Sequence, residues 1–294
     1  MKVLIFGGNG FLGNSLCALL EKKEVEYYTV SRSDQRSSYN LDISDINQFA
    51  QLPLDFFDTV INCATILPGG NFLDNEYLEK IYKTNILGTQ NICKWINTQD
   101  SIKKIINCST LVVVNKPWPV NLSEESATYP SGNHVLYSSS KLTQELLFKT
   151  FADSKNISLS QIRFSALYGE TMSWSGVICN LIDQARRDKK ISLKNASKVT
   201  ADFLHVDDAS AIIFSLLHSN LEGIVNGAAG TETSILDLAN IVRDCLDENI
   251  EIENHVDPDF EENRSQIDVS KLEKIISTKT FIDLKNGIKK IINV

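Results

Sequence analysis

Four consecutive apolar residues, Val3-Leu4-Ile5-Phe6, stop at Gly7-Gly8, the pattern of a strand buried on both faces of a parallel sheet. The period then changes. Phe11, Leu12, Leu16, Leu19 and Leu20 share a helical face that closes in Glu21-Lys22-Lys23, so the chain opens as strand, glycine turn and helix, the first half of a βαβ unit. Further strands are expected at Tyr27–Val30, Tyr39–Leu41, Thr59–Asn62, Lys104–Cys108 and around 157–164, with helices near 44–51, 76–97, 136–151, 176–187 and 207–218. Such alternation calls for right-handed crossovers and an open sheet with helices on both faces, the doubly wound parallel α/β (Rossmann) architecture. After Gly227 the strands shorten, and two helices near 234–246 and 270–293 carry polar faces. This reading gives a main domain over 1–165, to which 203–227 returns, and a smaller C-terminal lobe built from 166–202 and 228–294.

Composition narrows the picture. With 294 residues, 43% hydrophobic and 22% charged, the chain is an ordinary globular protein of one large or two small domains, not a disordered or coiled-coil one. Its first apolar run is too short for a signal peptide or a membrane span, so a soluble, cytoplasmic protein is expected. The net charge is −8 with no basic run longer than a pair, which argues against a nucleic-acid partner. Cys17, Cys63, Cys93, Cys108, Cys179 and Cys245 form no C-x-x-C, and the four histidines make no ligand pair. Buried thiols and no metal are the expectation.

Chemistry begins at Gly7-Gly8-Asn9-Gly10-Phe11-Leu12-Gly13, with glycines at 7, 10 and 13 between the first strand and the first helix. A dinucleotide pyrophosphate needs a tight turn, close backbone approach and a free helix N-terminus, and this placement offers all three. Asn9, Phe11 and Leu12 join the glycines as candidate cofactor contacts. About 20 residues on, the end of the second strand distinguishes the nicotinamide cofactors, and here it reads Ser31-Arg32. A hydroxyl and a guanidinium suit a 2′-phosphate, so NADP(H) is favoured over NAD(H). Asp34 competes as a ribose ligand. Asp42-Ile43 is expected to face the adenine, Asp42 alternatively capping the turn that follows.

Tyr137 and Lys141 stand at i and i+4 of a helix and so project from one face. A fixed cation beside a phenol favours the phenolate and brings its pKa toward a range useful for proton transfer. Ser109-Thr110 at one strand end and Asn62-Cys63-Ala64-Thr65 at another lie on the rim where such sheets bind ligands. Asn85 sits mid-helix, where asparagine is a poor helix former without an obvious cap.

Together these residues, with Gly88-Thr89, Arg163 through Tyr168-Gly169, and Asp202 through Asp208, resemble the extended short-chain dehydrogenase/reductases, the NAD-dependent epimerase/dehydratase family of nucleotide-sugar enzymes. The resemblance implies Thr110, Tyr137 and Lys141 as the catalytic set, with Lys141 also holding the nicotinamide ribose hydroxyls, and Asn85 as support for their helix and a candidate cofactor contact. It implies Cys63 and Ala64 at the cofactor, a nucleotide-sugar substrate held also by Thr110 and Tyr137, and a homodimer. His205 and Asp207 then read as structural members of a family signature. Leu111-Val112 replaces the Asp-Glu pair of the sugar dehydratases, so dehydration is not expected. Ser31-Arg32 replaces the acidic residue of many 4-epimerases, which puts first the reduction of a nucleotide-linked 4-keto-6-deoxysugar by exchangeable NADPH. A 4-epimerase with tightly bound NAD is the alternative, and a cofactor-binding regulator without turnover the second. Ala166 and Ala201 stand where the family often has Asn and Arg, which weakens the substrate assignment. Arg264 is a candidate diphosphate clamp and Trp174, with Met172, a candidate pocket wall. For Arg264 a surface salt bridge with Glu261 or Glu262, and for Trp174 a buried anchor, are the alternatives.

Overall fold

The opening apolar run folds as β1 (Lys2–Phe6), whose Val3 to Phe6 have no exposed surface. In this computed structural model, which describes residues 1–32, 36–68, 74–132, 134–246 and 249–293, the chain continues through α1 (Phe11–Lys22), β2 (Glu26–Ser31), β3 (Tyr39–Asn40), β4 (Thr59–Asn62), α2 (Asn75–Ile81), α3 (Gly88–Ile96), β5 (Lys104–Thr110), α4 (Val135–Lys155) and β6 (Ser158–Phe164). Then follow β7 (Ala166–Tyr168), α5 (Gly176–Asp188), β8 (Lys190–Lys194), β9 (Thr200–Ala201), β10 (Phe203–His205), α6 (Val206–Leu217) and β11 (Gly223–Gly227). The chain closes with β12 (Thr233–Ser234), α7 (Ile235–Leu246), β13 (Glu251–His255) and α8 (Leu284–Ile292). Seven strands form one sheet in the order β3-β2-β1-β4-β5-β6-β11. The pairs β1–β2, β2–β3, β1–β4 and β4–β5 are parallel. Strand order reverses between β1 and β4, the switch point outside which doubly wound sheets bind ligands.

The chain divides into two compact units. The first takes residues 1–115, 127–163 and 210–225; the second takes 116–126, 164–209 and 226–294. In the first, Phe6, Phe49 and Phe57 pack around Trp95 with ring centroids 6.2–6.3 Å from it. Val60, Ile105 and Leu159 belong to that core. Two residues further along the same strands, and so on the same face, Asn62 Nδ2 donates to Asn107 Oδ1 at 3.1 Å and Asn107 Nδ2 to Gln161 Oε1 at 3.2 Å, all three buried. The next row holds Ser109 and Arg163, both bonded to Glu145 of α4. Polarity therefore rises toward the carboxyl rim.

The second unit has its own core, in which Tyr168, Ile182, Leu238, Val242, Ile288 and Ile291 are buried together. A Cβ at Gly287 would stand 2.3 Å from the Tyr168 hydroxyl, so α8 seats on that ring only through glycine.

Three expected helices are built differently. The segment near 44–51 is a 3₁₀ turn, Ile46–Gln51, capped by Asp45 accepting from Asn47 N–H. The 76–97 helix is interrupted by a π turn at Tyr82–Leu87. Instead of one helix over 270–293 there are 3₁₀ turns at Leu272–Lys274 and Thr278–Thr280 before α8. The cause is local: Thr278 Oγ1 donates to Glu273 and Thr280 Oγ1 to the Ser277 carbonyl, while Asp283 accepts from Asn286 N–H and restarts the helix. Short polar side chains here compete for the backbone groups a continuous helix would use.

Candidate active site

The glycine turn is held too tightly for any side chain. Gly7 has φ +79°, and a Cβ on it would stand 2.6 Å from the Ala64 nitrogen; a Cβ on Gly13 would stand 2.2 Å from the Gly7 carbonyl oxygen. The turn leads into α1 with Gly10 as its N-cap, no capping side chain and no acid in the first turn, where Phe11, Leu12 and Gly13 begin the helix. Such an end favours an anion. Beside it lies a cavity of about 170 Å³, bounded by Gly7, Ser31, Arg32, Asp42, Ile43 and Ala64, with Thr65, Ile66 and Thr84 among its other walls. Asp42 lines this cavity, and its Oδ1 accepts from Ser44 N–H at 2.9 Å as the capping alternative expects. Asn9 Nδ2 donates to Ser37 Oγ at 2.8 Å, and Ser37 Oγ donates to Ser31 Oγ at 2.7 Å. This links the glycine turn to the end of β2 through a serine that sequence reasoning passed over. Asp34 lies outside the described residues. A cradle that a Cβ would fill, an uncovered helix end and an adjoining cavity fit a dinucleotide.

Thr110 is the last residue of β5, and Tyr137 and Lys141 lie on α4, both nearly buried. The Tyr137 phenol is hydrogen-bonded to the Thr110 hydroxyl, which favours the phenolate, yet burial outweighs it and pushes the phenol above its ordinary range. This corrects the expectation of a lowered phenol. The ammonium of Lys141 is turned to protein acceptors, the Cys108 carbonyl at 2.7 Å and the Gln144 amide oxygen. Burial pulls Lys141 itself down to about 8. Cys63 Sγ is 3.5 Å from Cys108 Sγ, and this contact with burial raises the Cys63 thiol well above its usual range, which keeps Cys63 a neutral thiol outside the reactive set.

Residues 3–227 match the NAD dependent epimerase/dehydratase family. The chain belongs to this family. It is an enzyme of the family's NAD-dependent kind, and its architecture is the family's Rossmann fold. A putative UDP-glucose 4-epimerase of Methanocaldococcus jannaschii is 25% identical over 303 residues, covering 99% of this chain and 97% of that protein. Among solved structures, UDP-glucuronic acid 4-epimerase from Bacillus cereus, in complex with UDP-glucuronic acid and NAD, superposes with a TM-score of 0.82 at 21% identity over 100% of this chain and 98% of that one. RMD from Pseudomonas aeruginosa, complexed with NADPH, gives 0.78 at 21% identity over 99% and 98%.

Behind the epimerase/dehydratase's Tyr and Lys lies a dry polar scaffold. Asn85, fully buried in the π turn, accepts from Ile66 N–H at 2.8 Å and donates to Ser140 Oγ at 2.9 Å. It ties the loop after β4 to α4 and is a strut behind the cavity wall. Glu145 accepts from Ser109 Oγ at 2.5 Å and from both Nε and Nη2 of Arg163 at 3.1 and 2.8 Å. Gln144 and Glu145 went unnoticed in the sequence, where a Gln-Glu pair reads as a solvated helix face; the legible signal was their place three and four residues after Lys141.

In the second unit, Arg264 pairs with Glu232, Nη2 to Oε2 at 2.5 Å and Nε to Oε1 at 3.1 Å, and this guanidinium brings the Glu232 carboxyl down to about 2. Arg264 thus makes a salt bridge, but with Glu232 and not with the neighbouring Glu261 and Glu262 that the alternative named. Trp174 is half-exposed, its Nε1 donating to the Asp183 carboxylate at 2.9 and 3.0 Å, while Met172 packs against the core of that unit. That exposure excludes the buried anchor given as the alternative for Trp174. His205 is buried with Nε2 3.2 Å from Glu170 and Nδ1 accepting from Asp207 N–H.

Proposed function

We propose that this enzyme moves a hydride and a proton at a carbinol carbon of a nucleotide-linked sugar, with 4-epimerisation as the net reaction. The observation that carries the reading is the meeting of two elements: Thr110 ends β5, and Lys141, one helical turn after Tyr137 on α4, donates to the Cys108 carbonyl of that strand at 2.7 Å. The two epimerases to which the chain is similar support the net reaction. When bound, the nicotinamide supplies the hydride acceptor and donor; the glycine turn, Ser31, Arg32, Asp42, Ile43 and Ala64 would hold the dinucleotide. Tyr137 as the phenol gives its proton to the oxygen of a carbonyl under reduction, and as the phenolate that this leaves takes one from a carbinol under oxidation. The Thr110 hydroxyl steadies that phenolate. Lys141, with its charge intact at neutral pH, sets a cation beside it. An epimerase performs oxidation and reduction in succession on opposite faces of one carbon. Trp174 and Arg264 are our candidate substrate contacts in the second unit.

Ser31 and Arg32 at the cavity favour a second reading, NADPH-dependent reduction of a nucleotide-linked 4-keto-6-deoxysugar. The intact Thr110, Tyr137 and Lys141 speak against a regulator without turnover. To decide, the purified protein is denatured and its released nucleotide identified, and UDP-glucose and UDP-glucuronic acid are offered without added cofactor and followed by proton NMR. Bound NAD with conversion at C4 establishes the epimerase. An empty protein that leaves both sugars unchanged, and oxidises NADPH only when given the keto sugar, establishes the reductase. Six unpaired cysteines suit a reducing cytoplasm, and exposed Tyr82 and Leu146 suit a homodimer, which light scattering tests.

A further inference from the structure

Buried lysines are rare, and each acceptor that meets their charge matters. Gln144 is fully buried one turn beyond Lys141 on α4. Its amide is fixed from behind: Nε2 donates to Thr89 Oγ1 at 2.9 Å and reaches the Asn85 carbonyl at 3.5 Å, while Thr89 Oγ1 donates to that same carbonyl at 2.8 Å. With its nitrogen committed to the α3 side, the amide has one orientation, and its oxygen faces Lys141 Nζ. We propose that Gln144 is a positioning residue that holds the Lys141 ammonium in place beside Tyr137 through its amide oxygen. The inference rests on the proposed role of Lys141 and adds a residue to it.

The groups that act on this ammonium come from several elements. Cys108 of β5, Glu145 of α4 and Cys63 after β4 each favour its charge, and Arg163 of β6 pairs with Glu145. Since burial already brings Lys141 to about 8, losing a neutral acceptor lowers its titration further, and placing a carboxylate there raises it.

The test is made on wild type, Gln144→Met and Gln144→Glu, each checked for folding by its urea transition. Lys141 is titrated directly by the ¹⁵N shift of its side chain in lysine-labelled protein, assigned by its absence in Lys141→Met. The expected result is a midpoint moved down by about one unit in Gln144→Met and up in Gln144→Glu, with the alkaline limit of NADPH or NADH binding moving in the same two directions. Midpoints unmoved in both folded variants overturn the proposal, as does a shift of the same sign in both. If the wild type neither carries nor binds either nucleotide at any pH, the hydride-transfer reading falls, while the ¹⁵N titration still decides the role of Gln144.

Discussion

Tyr137 is raised and Lys141 lowered by the same cause, removal of both from water. Tyr137→Phe removes only the hydroxyl, so turnover falls by about two to four orders of magnitude while nucleotide affinity, read by fluorescence titration, stays near wild type. Lys141 loses its charge as pH rises through about 8, so kcat/KM falls on that limb, two units earlier than an ordinary lysine at about 10.4 would dictate. The stability sign follows. The folded protein favours the neutral amine and the unfolded chain keeps the ammonium up to 10.5, so the cost is full below pH 8 and relieved between the two values. Lys141→Met is therefore expected to unfold at higher urea than wild type at pH 7 while losing turnover. Arg32→Ala should weaken NADPH binding by about 1.5–3 kcal/mol, the range for a charged hydrogen bond, and leave NADH unchanged. Equal losses for both would make Arg32 a general support of the cavity.

At the scale of elements, the rim is rigid because α4 is locked to the sheet by charge as well as by packing. Glu145→Ala removes the carboxylate from the buried Arg163 guanidinium, and breaking such a pair costs about 3–5 kcal/mol; urea unfolding measures it, and adding Arg163→Met should restore most of the loss. The strands and glycine turn were legible in the sequence because each obeys a local rule: an apolar run, a glycine spacing, a period of 3.6. Tyr137, Lys141 and Thr110 were legible because short spacings placed them on one face or at one strand end. What was illegible depends on distant partners. Glu145 and Gln144 have the residue types of a surface helix, and partners such as Arg163, Ser109 and Thr89, elements away, make their burial tolerable. The phenol's direction failed for the same reason, since i to i+4 spacing reveals a neighbour but not the solvent. The break in the 270–293 helix was missed because Ser277, Thr278 and Thr280 were read for periodicity and not for their competing hydroxyls.

At the scale of the whole molecule, the second unit carries its own electrostatic tie. Glu232 has a folded value near 2 against 4.5 for the ordinary group, so the Arg264 pair stabilises above pH 4.5 and is lost as pH falls toward 2. Glu232→Gln should remove a small part of the stability at pH 7, small because Arg264 is half-exposed, and none at pH 2. Acid unfolding of wild type and variant should accordingly converge across that window.

The row of amides on β4, β5 and β6 bears on how the chain aligns itself at all. Strands such as Val3–Phe6, apolar on both faces, carry little information about which residue belongs beside which, because hydrocarbon contacts fade gradually with sliding. The amides behave as the marks of a vernier. A slip of two residues between β4 and β5 keeps every side chain on its face but sets Asn62 against Ile105 or Ser109 in place of Asn107. Each amide so stranded costs about 1–3 kcal/mol, a penalty with no partial credit for nearly correct alignment. Apolar burial thus supplies the drive to assemble the sheet, and three polar side chains choose the one alignment in which the ends of β4 and β5, and with them Ala64 and Thr110, arrive level at the rim.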